Sequence, residues 1–408
     1  MRFRSYFNHA LHIIDSFDGS MPLAQFLKQY FARNKKHGST DRKMIAHACY
    51  SYYRLGHALK DSPPDDRLRA ALSLCSEDPA KWSEVLDTLS PPSFPIEAIF
   101  PWKDELSDDI DHHAFCRSFL RQPDLFLRIR PGHQTEVLNR LAEAQSPLTP
   151  PAYEFIPPFT LRLPNGFKAE EYFTPDKEIV VQDYSSQRLA AFLQLCPEAP
   201  GGSPSEARYP TPKLTAWDAC AASGGKSILI HDLNPGIELT VSDIRESILH
   251  NLAKRFNEAG IKNYHSFITD LTAAGLAAGK PASHAPHDPT PHSPAPHSAL
   301  QPPFDLILAD VPCTGSGTWS RNPEELYFFE PAKIAVYRAR QEKIVSSLIP
   351  ALGKNTCLVY STCSVFKKEN EGMAKFMEDT LGLRPDRMKT IKGYDDRADS
   401  MFAARFIS

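Results

Sequence analysis

Phe304-Asp-Leu-Ile-Leu-Ala-Asp-Val-Pro-Cys-Thr-Gly-Ser-Gly-Thr-Trp-Ser-Arg-Asn-Pro323 is the stretch on which the reading of the fold turns. Its first part, Asp305 to Asp310, is an apolar run of strand length closed by an acid; the chain then turns sharply through Pro312, Cys313 and Gly315. A buried strand that delivers a carboxylate and a thiol into a glycine-rich loop is how open α/β sheets build sites at the carboxyl ends of their strands. Downstream, Cys357-Leu-Val-Tyr360 has the same apolar character and breaks into Ser361-Thr-Cys-Ser364. Cys313 and Cys363 are therefore expected at one edge of one sheet, facing one cleft.

Upstream, Leu214-Thr-Ala-Trp217 reads as a short strand running into Asp218-Ala-Cys-Ala-Ala-Ser-Gly-Gly-Lys226 and the helix Ser227 to Leu233. Glycines at a strand-to-helix turn let a ligand approach the backbone, and the helix N-terminus offers free N–H groups. The next strand, Glu238 to Ser242, ends at Asp243, some 20 residues past the glycines, where an acid can accept from ribose hydroxyls. A third strand, Tyr264 to Thr269, ends at Asp270, a position suited to the neighbourhood of an adenine. The turn lacks G-x-G-x-x-G, which argues against NAD, and G-x-x-x-x-G-K-[ST], which argues against a P-loop; S-adenosylmethionine fits better.

The 408 residues, 42% hydrophobic, suffice for two or three domains. The formal net charge is only -3, yet Met1 to Lys60 holds ten Lys/Arg against three acids. Phe7 to Phe31 and Asp41 to Leu59 carry apolar residues at helical spacing, with Thr40-Asp41 as an expected N-cap. This places a helical domain over residues 1–120, its basic loop Arg33-Asn-Lys-Lys-His-Gly38 suited to phosphate contacts. Residues 121–180 read as a small α+β module: Leu125 to Arg130 and Phe159 to Leu163 alternate like strands, and Glu136 to Ala144 suits a helix. A helix from Arg188 to Leu195 follows. Pro197 to Pro212 reads as a surface loop. Ala278 to Pro303 is dominated by Pro, His, Ala and Ser, and is expected to be a disordered insertion whose irregular histidines define no metal geometry. Eight cysteines without CxxC spacing are expected to be reduced thiols, with no metal site and no disulfide framework. The sequence has neither a membrane-spanning apolar run nor a signal-peptide core, so a cytoplasmic protein without membrane attachment is expected.

Asp218 to Lys226, Asp310-Val-Pro-Cys313, Gly315-Ser-Gly317 with Arg321-Asn-Pro323, and Tyr360-Ser-Thr-Cys-Ser364 followed by Glu369-Asn-Glu371 are similar to successive motifs of the Sun/Fmu/Nop family of RNA cytosine-5 methyltransferases. The resemblance runs from about Val180 to the C-terminus. More loosely, the N-terminal part resembles the NusB-like RNA-binding domain of the RsmB type. It implies an α/β fold, a Rossmann-like class I methyltransferase sheet flanked by helices over residues 181–408, preceded by the helical NusB-like domain and the small α+β module. It also implies S-adenosylmethionine as cofactor and RNA as partner, ribosomal RNA before transfer RNA, with the protein a monomer. By resemblance Cys363 attacks C6 of a cytosine, Cys313 assists release of the methylated RNA, and Asp310 faces the base with Lys226 nearby. Cofactor contacts are implied for Cys220, Ala221, Ala222, Ser223, Gly224, Gly225, Lys226, Asp243, Asp270 and Asp310. The sequence departs from the family pattern at Ser223, where a proline is usual, and at Asp399-Ser-Met-Phe402, where the pattern is Asp-Gly-Phe-Phe.

Overall fold

The computed structural model describes residues 2–86, 92–143, 153–195, 213–273, 280–281 and 304–408. The chain forms two compact units: Met1–Pro123 with Gly315–Lys333 and Lys392–Asp399, and Asp124–Thr314 with Ile334–Ile391 and Ser400–Ser408.

The first unit is helical. The apolar run from Phe7 to Phe31 forms two helices, Arg2–Ser16 and Leu23–Arg33, separated where Gly19 takes φ +76° and Pro22 follows. A Cβ at Gly19 would lie 2.7 Å from the ring of Phe328, so glycine is required there for space as well as for φ. The third helix, Ser39–Arg54, starts earlier than Thr40-Asp41 suggested. Gly38 is its N-cap, and Asp41 sits in the first turn, where its Oδ2 accepts the Gly38 N–H at 3.0 Å. A carboxylate three residues inside a helix reaches back to the capping residue in this way. Asp41 also accepts from Tyr6 and Arg2, and these bonds lower its pKa to about 2.

Ile13, Leu23, Ile45, Ala48, Leu68 and Leu72 are among the core residues of this unit. Two later pieces of chain complete it. From Gly315–Lys333, Trp319 and Leu326 are buried, and Glu324 Oε1 accepts the Leu23 N–H at 2.9 Å. Buried Arg54 donates to the carbonyls of Phe119, Arg121 and Ser320.

The second unit holds two sheets. Strands β1 (Leu125–Ile129), β2 (Glu154–Ile156), β3 (Thr160–Leu163) and β4 (Ile179–Val181) form an antiparallel sheet in the order β2-β3-β1-β4. The helix Gln134–Glu143 packs Val137 and Leu141 into its core. The larger sheet contains β5 (Thr215–Asp218), β6 (Glu238–Asp243), β7 (Tyr264–Ile268), β8 (Lys280–Pro281), β9 (Leu306–Asp310), β10 (Cys357–Thr362), β11 (Arg384–Ile391) and β12 (Met401–Ile407), in the order β11-β12-β10-β9-β5-β6-β7-β8. β5, β6, β7, β9 and β10 run parallel, whereas β12 is antiparallel to both β10 and β11.

Successive side chains of β9 enter opposite cores: Leu306 and Leu308 on one face, Ile307 and Ala309 on the other. A strand covered on both faces is apolar at every position, which is why 306–309 reads as an unbroken run. The expected helix Arg188 to Leu195 is two short pieces, Tyr184–Arg188 and Ala190–Leu193, the first capped by Asp183, whose side chain accepts the Ser185 N–H at 2.8 Å. Of the expected insertion, Lys280–Pro281 pair with β7; its other residues, like Pro197 to Pro212, lie outside the described residues. No helix among the described residues is long and apolar enough to cross a membrane.

Candidate active site

Strand order reverses between β5 and β9, and ligands of open α/β sheets bind beyond the carboxyl ends of strands at such a switch point. β5 delivers Asp218, β9 delivers Asp310, and β10 ends at Thr362, one residue before Cys363. The turn after β5 places Ala222 at φ +46° and Gly224 at φ +84°. A Cβ on Gly224 would come within 2.9 Å of Leu252, so glycine lets the following helix, Gly225–Leu233, approach Glu246–Glu258 closely.

Beside this turn lies a cleft of about 270 Å³. Cys220, Ala221, Ala222, Ser223, Gly225, Lys226 and Asp310 line it, as do Asp218, Gln182, Asp183 and Arg255. Gly224, Asp243 and Asp270 are not among its lining residues. Asp243 Oδ2 accepts the Ala222 N–H at 3.1 Å and its Oδ1 the Arg245 N–H at 2.9 Å, so it braces the glycine turn. Asp270 is exposed and accepts from the backbone and hydroxyl of Thr272.

Asp218 is almost fully buried, and burial pushes its carboxyl up to about 7, against the lowering effect of the Ser227 hydroxyl it accepts at 2.6 Å. Its Oδ1 is buried without a hydrogen-bond partner. An acidic cleft wall with one orphaned carboxylate oxygen, next to a glycine turn, fits a cationic ligand with a nucleoside part, and S-adenosylmethionine meets that description.

Next to the cleft, Lys226 Nζ donates to Asp310 Oδ2 at 2.7 Å, and Ser361 Oγ donates to Asp310 Oδ1 at 2.7 Å. Burial lowers the pKa of Lys226, but Asp310 and, to a smaller extent, Cys363 and Asp218 outweigh it, so the net shift is upward and the ammonium is retained. The Sγ atoms of Cys313 and Cys363 stand 3.3 Å apart. None of the seven described cysteines is in a disulfide. Burial raises the thiol pKa of Cys220 far above its ordinary value and pushes Cys357 up to about 11, so these two remain protonated.

Glu369 opens the Glu369-Asn-Glu371 motif, in which the sequence assigns it no role. It is fully buried and ties the two cysteine loops together. Its carboxylate accepts the Thr314 N–H at 3.0 Å and the Thr314 hydroxyl at 2.6 Å from the first loop, the Ser364 hydroxyl at 2.5 Å from the second, and Gln341 Nε2 at 2.8 Å. Asn370 accepts from Thr362 and donates to the Ser364 carbonyl. Arg321, from the Arg321-Asn-Pro323 motif, donates to Asp399 Oδ1 at 2.8 Å. Arg255, which no motif marks, pairs with Asp176 through two bonds and donates to both the carbonyl and the hydroxyl of Ser223. No sequence spacing connects residues 176, 223 and 255.

The parallel strands, the switch-point cleft and the antiparallel β12 define a Rossmann-like α/β protein of the methyltransferase kind. Residues 208–401 match the family model described as 16S rRNA methyltransferase RsmB/F, in agreement with the resemblance of the motifs. The probable ribosomal RNA small subunit methyltransferase B of Synechocystis is 30% identical over 283 residues, covering 65% of this chain and 52% of the relative. The ribosomal RNA small subunit methyltransferase B of Salmonella agona is 27% identical over 285 residues, 68% of this chain and 55% of the relative. The chain thus spans about half the length of the curated relatives it matches. Among solved structures, that of PH0851 has a TM-score of 0.66 at 17% identity, covering 100% of this chain and 98% of its own. A methyltransferase homolog from Pyrococcus horikoshii has a TM-score of 0.54 at 17% identity, covering 74% and 92%. Both likenesses concern the fold.

Proposed function

We propose that the protein is an S-adenosylmethionine-dependent RNA cytosine-5 methyltransferase acting on ribosomal RNA. The observation that carries this reading is the 3.3 Å approach of the Cys313 and Cys363 thiols beside the Lys226–Asp310 pair. The family-model match and the names of the relatives support the ribosomal substrate.

C5 of cytosine is a poor nucleophile, and the residues are suited to making it a better one. The Cys363 sulfur, as thiolate, forms a bond to C6, and the C5–C6 π electrons move toward C5. S-adenosylmethionine, when bound, supplies an electrophilic methyl group for that carbon. Asp310 is placed to accept from the exocyclic amine of the base, while the Lys226 ammonium offsets negative charge developing on the ring. After transfer, the C5 proton leaves to a base, the electron pair restores the C5–C6 double bond, and the Cys363–C6 bond breaks. Cys313 is the group we assign to this release. Glu369 holds the two thiol-bearing loops in register for both steps.

The test is a denaturing gel of wild type, Cys313→Ala and Cys363→Ala after incubation with S-adenosylmethionine and cellular RNA. Expected is a slower, ribonuclease-sensitive band for Cys313→Ala only, with no methyl transfer by Cys363→Ala. Methylation by Cys363→Ala would sink the assignment of the nucleophile. Sequencing the trapped RNA identifies its class, and transfer RNA in the band would replace ribosomal RNA as the substrate.

A further inference from the structure

Within the first unit, a cavity of about 290 Å³ is lined by Arg117, Arg121 and Arg397, all exposed, together with Ser320, Tyr394 and one acid, Asp395. The pocket is firmly built. Beneath it the buried Arg54 guanidinium donates to the Arg121 carbonyl at 3.2 Å and the Ser320 carbonyl at 2.9 Å, joining two walls that are distant in sequence. Tyr394, itself buried, packs edge-on against Phe115, and its hydroxyl oxygen accepts the Asp111 N–H at 3.1 Å. Arg397 takes φ +54°, a left-handed conformation that a non-glycine residue adopts only when its surroundings hold it there. From that position its Nη2 donates to the Gln122 carbonyl at 3.3 Å.

The side chains of Arg117 and Arg121 are not neutralised by a carboxylate among the described residues. The Arg117 and Arg121 guanidinium groups against the Asp395 carboxylate leave this lining with a net positive charge. Planar guanidinium forks match phosphate oxygens two at a time, better than lysine ammonium groups do. Tyr394 lines the pocket but is buried against Phe115, so little of its ring is open to a stacking base. Ser320 also lies on the segment that directly follows Cys313-Thr314 in the chain.

We propose that this pocket binds the phosphodiester backbone of the substrate RNA, an inference that rests on the RNA-directed activity proposed above. Binding of two unrelated fluorescein-labelled single-stranded RNA oligonucleotides is measured across a salt series for the full chain, Arg117→Gln/Arg121→Gln and Asp395→Asn. The double variant is expected to weaken binding to both oligonucleotides by similar factors. It should also reduce the slope of log K against log salt by about 1.4, at about 0.7 per single-strand phosphate contact. Asp395→Asn is expected to tighten binding, a gain that misfolding cannot produce. Wild-type binding with both variants unchanged overturns the pocket and leaves the proposed activity standing. If the wild-type chain neither binds nor methylates any RNA, the activity and the pocket fall together.

Discussion

Asp218 is a carboxyl group whose ionisation is tied to both folding and ligand binding. Its folded pKa, pushed up to about 7 by burial, lies above the ordinary carboxylate value of 3.8. Between those values the folded chain holds a proton that the unfolded chain has released. The stability contributed is therefore full below about pH 4 and is lost as pH rises toward 7, on the order of 4 kcal/mol across the window. Melting temperatures from pH 4 to 7.5 should show this decline, and Asp218→Asn should flatten it. Ionisation of the same group over pH 6 to 8 should tighten binding of cationic S-adenosylmethionine, and calorimetry of Asp218→Asn should lose that dependence. Glu369 presents the opposite case, an acid valued for what it accepts. Glu369→Gln keeps the shape but turns one acceptor oxygen into a donor facing donors, at a cost of about 1–3 kcal/mol. Expected are a lower melting temperature and a reduced turnover number with little change in cofactor affinity. Unchanged turnover would mean the two cysteine loops hold their register without it. Neither role is legible in the sequence, because an isolated Asp or Glu shows neither its burial nor its partners.

At the scale of elements, the turn between β5 and the helix Gly225–Leu233 shows how a missing proline can be replaced. Ser223 stands where a proline would fix φ, and Arg255 fastens that residue from the next helix while anchored on Asp176. Arg255→Leu should weaken S-adenosylmethionine binding roughly tenfold, the equivalent of one charged hydrogen bond of about 1.5 kcal/mol. Ser223→Ala should cost less than about threefold, since the backbone carbonyl still receives Arg255. Titration calorimetry of both variants checks the order, and a larger loss for Ser223→Ala would reverse the argument. The strands themselves were legible: runs such as Leu306 to Ala309 are apolar at every position because both faces are covered. So was the meeting of the two cysteines, through the motifs that place them at neighbouring strand ends. Helix boundaries were less so. Gly38 as cap and the break at Leu189 depend on backbone angles that many sequences share.

At the scale of the whole chain, the helical unit is not a contiguous stretch. Nothing in Gly315–Lys333 marks it as part of that unit, since Trp319, Leu326 and Phe328 look like ordinary loop apolar residues until their neighbours are known. Leu326 fills the space against Gly56, where a Cβ would approach it within 2.6 Å. Leu326→Ala should destabilise the helical unit by about 2–5 kcal/mol, and a fragment of residues 1–123 should lack a cooperative thermal transition by circular dichroism. A sharp transition in that fragment would show that its helices suffice alone. The same arrangement bears on birth at the ribosome. Domains ordinarily fold as they emerge, N-terminal first, but the last piece of this one arrives only with Lys392–Asp399. At about 5–20 residues per second, roughly 14–55 s separate synthesis of residue 123 from that of residue 399. During that interval the nascent helices lack their closing layer. Nascent chains arrested after residue 333 should remain protease-sensitive at the N-terminus, and those arrested in a linker appended after Ser408 should be resistant.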